Sequence, residues 1–185
     1  MDDNSPFQRF GFNVLLLFLF LVFSRIFDVK FGSLHITGAS YRVAFAMVLL
    51  SRGFITALSS NIGKALLGFT FCCGMSVPFS VWRGGSMAVF RDAWLLFSFV
   101  TFLAVAGLIA NYAQYLKAAK TLALALLTFT VVANVFGTSE GGRLVLAQGK
   151  YANPNEMAQA LLIGLALWGA IMVNSRSLPG KVFSL

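Results

Sequence analysis

Long apolar runs alternate with short polar interruptions along the chain, and several runs approach the roughly 20 residues that cross a bilayer as a helix. The first covers residues 10–23. Asp2, Asp3 and Arg9 precede it and Ser24-Arg25-Ile26 follow it, so it reads as a retained helix and not as a cleaved leader. The second is short, because Arg42 and Arg52 bracket it. It reaches spanning length only by continuing through residues 54–58, with Arg52 snorkelling or facing protein. The third runs over residues 62–81, where Pro78 is expected to kink or end the helix and leave Ser80 beside freed carbonyls. A turn at 82–86 and a short interfacial segment at 87–91 lead to the fourth, residues 93–110. Residues 111–120 read as a short basic connection holding Lys117 and Lys120. The fifth run, 121–136, carries Asn134, an amide that needs a partner at lipid depth. The longest polar stretch, 137–153, separates it from the sixth run, 156–173, and a basic tail.

Composition turns this pattern into a class. Of 185 residues, 58% are apolar and 11% charged, against about 45–50% and 25% in soluble domains. Too few polar groups are present to wet a globular surface, and disorder is excluded by the same hydrophobicity. The expected fold is all-α: a polytopic membrane helix bundle of about six transmembrane helices with short loops. Residues 1–185 then form a single membrane domain, embedded in the lipid bilayer, with no soluble domain.

The net charge of +8 changes little by itself. The basic residues are scattered singly between apolar runs, which suits helix flanks and argues against a nucleic-acid partner. With six spans they divide evenly, seven to each side, so charge does not orient the chain. An outer face this basic has two explanations, an anionic ligand there or a different number of spans. Cys72 and Cys73 are adjacent within an apolar run, match no metal spacing and read as small core residues. No cofactor and no metal are expected.

Most of the chemistry gathers before the sixth run. Asn153 is a good helix cap, Pro154 suits the first helical position, and Glu156 can reach back as in a capping box. A helix starting there aims free N–H groups out of the lipid, and Arg143 and Lys150 lie just upstream. A phosphate or pyrophosphate could sit between them, while Asn155 and Gln159 continue a polar stripe one turn further in. The bland reading of the same residues is a well-capped helix with snorkelling cations. Elsewhere, Arg25 and Asp28 fall at i, i+3, a spacing that allows pairing. The one histidine, His35, reads as an interfacial residue.

The segment Gly142-Arg143-Leu144 … Gly149-Lys150-Tyr151-Ala152-Asn153-Pro154-Asn155-Glu156-Met157-Ala158 resembles the Arg … Gly … Asn-Pro-Asn … Ala pattern of the O-antigen ligase and polymerase superfamily. Arg25 with Asp28 after the first helix, and Val77-Pro78-Phe79-Ser80 closing the third, match that pattern in order. The resemblance implies a bacterial inner (cytoplasmic) membrane protein with a cytoplasmic N-terminus and a periplasmic loop at 137–153. It implies a role in surface polysaccharide assembly, where a glycan is transferred from an undecaprenyl-pyrophosphate-linked donor, with Arg143 and Lys150 contacting the pyrophosphate. Family members have about a dozen helices and a large later loop with a catalytic histidine, so the chain resembles their N-terminal half. It is then expected to be inactive alone, with catalytic residues unknown, and to work with a missing C-terminal half or as a homo-oligomer. A small six-helix transporter or channel is the competing reading, motivated by Asn134, Gln159 and the interruption near Pro78. A scaffold that packs helices through Ala160 and Gly164 is a third.

Overall fold

The structure, a computed structural model, describes residues 6–27, 36–140, 143–145 and 154–174. Helices make up nearly all of it. In chain order they are α1 (Pro6–Ser24), α2 (Ile36–Leu50), α3 (Gly53–Ser59), α4 (Asn61–Ser76), a 3-10 turn (Val77–Phe79), α5 (Arg83–Val89), a π-helical segment (Phe90–Phe99), α6 (Val100–Leu108), α7 (Tyr112–Phe136) and α8 (Pro154–Asn174). Two short strands, β1 (Thr138–Glu140) and β2 (Arg143–Val145), form an antiparallel hairpin between α7 and α8.

Among the described residues four helical stretches are long and apolar enough to cross a membrane: Phe7–Ser24, Asn61–Phe79, Arg83–Leu108 and Tyr112–Phe136. A fifth arises if α2 and α3 count together, although they are bent by 84°. The sequence pattern suggested six. The difference lies in the second and sixth runs: the second is broken, and the apolar part of α8, Met157–Val173, is too short to pass on length.

The break has a local cause. Arg52 sits in the left-handed region (φ 55, ψ 17), which ends α2 and turns the chain into α3. Ser51 closes the corner, since its Oγ donates to the Val48 carbonyl at 3.2 Å and accepts from the Gly53 N–H at 3.3 Å. The expected continuous helix through Arg52 is therefore replaced by a corner, with Arg52 exposed. Two other expectations shift. Of residues 111–120, expected as a connection, all but Asn111 belong to α7, whose alanines, lysines and glutamine favour helix. The turn at 82–86 ends at Trp82, and residues 83–108 run on as one helical stretch instead of a separate interfacial piece. Its middle is π-helical, with Val100 N–H donating to the Leu95 carbonyl five residues back.

The chain divides into two compact units. One comprises Met1–Leu15 and Tyr41–Asn111. Its tightest joint is the crossing of α3 and α6, where a Cβ on Gly53 would lie 2.6 Å from the Gly107 carbonyl oxygen, and one on Gly107 2.7 Å from that of Gly53. Nearby, Gly11 packs on Leu108 and Met47, and Ala44, Val48, Leu103 and Ala104 are buried. The cysteines are not core residues as expected. Cys72 is exposed and Cys73 half-buried, because α4 turns most of its apolar surface outward.

The other unit comprises Leu16–Ser40 and Tyr112–Leu185. Leu126, Phe129, Ala133, Met157 and Ala160 form its core, with Phe23, Leu122, Leu161 and Leu167 packed around them. Small residues let α7 and α8 approach: a Cβ on Gly164 would meet Leu126 Cβ at 3.1 Å. The Trp168 indole N–H donates to the Ala123 carbonyl at 3.1 Å. Both units expose large apolar side chains, including Phe79, Val81, Leu165 and Val173, which are all more than two-thirds accessible. Exposed apolar side chains of this size and number are compatible with lipid-facing helices.

Candidate functional site

The site expected from sequence centres on the hairpin and the start of α8. α8 opens at Pro154, the first-helical-position proline that the Asn-Pro-Asn pattern predicts. Asn155 and Gln159 are both exposed on its first turns, one helical repeat apart. β2, which carries Arg143, runs beside α8. The hairpin register pairs Glu140 with Arg143, Ser139 with Leu144 and Thr138 with Val145. The described strands of the polar stretch before α8 thus pair with each other and bring the Arg143 backbone to the α8 helix. Lys150, Asn153 and Asp28 lie outside the described residues, so the cap, the second cation and the Arg25–Asp28 pairing are not seen.

Arg25 belongs to the same compact unit as Arg143, Pro154, Asn155 and Gln159. It is buried, 8% accessible, just past the end of α1, and has a left-handed backbone (φ 54). A buried arginine in a conformation disfavoured for non-glycine residues is held there by its surroundings. Asn134, an amide expected to need a partner, is exposed and donates to the Thr130 carbonyl of its own helix at 2.8 Å.

Pro78 and Ser80 lie in the other unit. Pro78 ends α4 as predicted, through the 3-10 turn. Ser80 does lie beside a freed carbonyl, that of Val77, while its side chain has other partners. Its Oγ pairs with Ser86 Oγ at 2.6 Å and accepts from the Trp82 N–H at 3.2 Å, while its backbone N–H caps the turn on Val77. The short turn leaves the serine hydroxyl closer to α5 than to α4.

Sequence reasoning missed what surrounds this turn. A cavity of about 420 Å³ lies between α4 and the α5–π stretch, lined among others by Phe69, Cys73, Trp82, Phe90 and Trp94. Its walls are fixed by an edge-to-face contact of Phe69 with Trp94 at 5.0 Å and by the Trp94 indole N–H donating to Thr70 Oγ1 at 2.9 Å. Trp82 lies so close over Gly85 that a Cβ there would overlap its ring. The signal was present in the Trp82-Arg83-Gly84-Gly85 run, where adjacent glycines next to tryptophan allow ring and backbone to touch. Chemically the cleft can hold an apolar chain, with the Ser80–Ser86 pair beside it.

No protein-family model, curated protein or solved structure matches the chain.

Proposed function

We propose that the chain is an integral membrane protein that binds a polyprenyl-pyrophosphate-linked glycan donor, as the N-terminal half of an O-antigen ligase- or polymerase-like glycosyltransferase would. One observation carries the reading: α8 opens at Pro154 of the Asn-Pro-Asn element, beside the strand that carries Arg143. In this reading a helix start supplies oriented N–H groups and Arg143 supplies a planar cationic fork, which together suit a pyrophosphate. Lys150 adds a second cation. The outward apolar helices support embedding in a bilayer; the family resemblance adds the bacterial inner membrane, with loop 137–153 on the periplasmic side. Transfer itself is inverting, needs no metal and draws on the later loop of the family for the group that activates the acceptor.

The test is binding of farnesyl pyrophosphate, a short soluble donor mimic, to the purified chain in detergent. Arg143→Ala is expected to weaken binding about tenfold, the scale of a lost charge-assisted hydrogen bond. Equal affinity in the wild type and the variant would remove Arg143 from the donor site. The 84° break between α2 and α3 favours a second reading as a small transporter or channel, because broken helices line solute pathways. Flux of a labelled solute into proteoliposomes holding only this chain, with no pyrophosphate binding, would favour that reading instead.

A further inference from the structure

The first turns of α7 and the last turns of α8 enclose a second cavity, of about 370 Å³, within one compact unit. Tyr112, Tyr115 and Lys120 of α7 face it, together with Leu116, and Leu167 and Ile171 close it from α8. The two tyrosine rings stack at 6.1 Å with 23° between their planes, and both are more than half exposed at the rim. Lys120 is half-buried and makes no ion pair among the described residues.

Three features select an occupant. The charge is one-sided: between Asp92 and Glu140 the sequence has no acidic residue, whereas Lys117 and Lys120 lie on this end of α7. Lys120 also leans the right way, since helical side chains tilt toward the N-terminus and so toward the two tyrosines. Finally, the 25 residues of α7 rise about 37 Å, against a hydrocarbon core of about 30 Å. A surplus taken at this end brings the Tyr112–Tyr115 turn to head-group level, where tyrosine and snorkelling lysine are at home.

We infer that this cleft binds the head group of an anionic phospholipid. The phosphate sits against Lys120 and the tyrosine hydroxyls, and one acyl chain lies along Leu116, Leu167 and Ile171. The inference rests on the membrane reading above but not on the glycan donor. Free phosphate would use the cation and leave the apolar wall unused.

The experiment places the full chain in phosphatidylcholine nanodiscs and measures preference for added phosphatidylglycerol by native mass spectrometry. The wild type should retain phosphatidylglycerol over phosphatidylcholine, and Lys120→Gln should cut that preference about fivefold, the share of one cation at the surface. Ala170→Phe, which fills the cavity with its charge intact, should cut it as well. Lys117→Gln, outside the cavity, should have the smaller effect. Equal losses in the two lysine variants would mean diffuse surface attraction and overturn the site. Competition by millimolar inorganic phosphate as effective as the lipid would overturn the lipid assignment. Insertion into the nanodisc without any lipid preference sinks the site alone, whereas failure to insert sinks the membrane reading with it.

Discussion

Gly53 and Gly107 meet backbone to backbone, so neither position has room for a single added carbon. Gly53→Ala or Gly107→Ala is expected to cost about 1–3 kcal/mol, the usual penalty of overpacking, because the obstructing atoms are backbone and cannot rotate away. Gly169→Ala, where the added methyl meets nothing within 4 Å, is the matched control. Thermal unfolding in detergent separates them, and equal stability of all three variants would contradict the crossing. Arg52 offers the opposite sign. Its left-handed backbone is disfavoured for a residue with a Cβ, so Arg52→Gly should stabilise the chain by about 1 kcal/mol in the same assay. A destabilised glycine variant would show that the arginine side chain, not the backbone, holds the corner.

The helices differ in what fixes them, and α7 makes this measurable. Amide hydrogen exchange in residues 116–120 should be slow, as in a helix interior, and fast exchange there would restore the connection that composition suggested. Isolated lysines in that stretch look like interruptions in the hydrophobic pattern, although lysine is a good helix former whose stem can lie along an apolar surface. By contrast, the opening of α8 at Pro154 was legible, while its expected Asn153 cap lies outside the described residues. Proline with a fixed φ and no N–H belongs at a first helical position, and Pro154 is there. The corner at Arg52 was not legible, because nothing in Leu50-Ser51-Arg52-Gly53 distinguishes a left-handed arginine from a snorkelling one. The aromatic cleft was hidden for a different reason: Phe69, Trp82 and Trp94 come together only once α4 and the π stretch are packed. Within that packing, Trp94→Phe should cost about 1 kcal/mol, since it removes the donor to Thr70 while Thr70 keeps its bond to the Leu66 carbonyl. No change in unfolding would demote that bond to a bystander.

Among the described residues, many large apolar side chains are exposed on the helices although others, such as Phe18 and Phe129, are fully buried, and that exposed apolar surface suits a lipid environment. The chain expressed in bacteria should therefore stay with the membrane pellet after alkaline carbonate washing, and release into the supernatant would defeat the bilayer reading. Composition alone pointed this way, but the number of crossings did not follow from it, since apolarity measures a run and not where its backbone bends. That bend has a consequence for synthesis. α3 closes on α6 through Gly53 and Gly107, and 53 residues separate those two glycines in the sequence. While the chain is being made, the corner emerges long before the glycine it rests on. The second apolar run must then wait, unsupported at its broken end, until the helix after the π stretch has left the ribosome. Stalling translation just before Gly107 should leave that run more open to proteases than stalling just after α6 is complete.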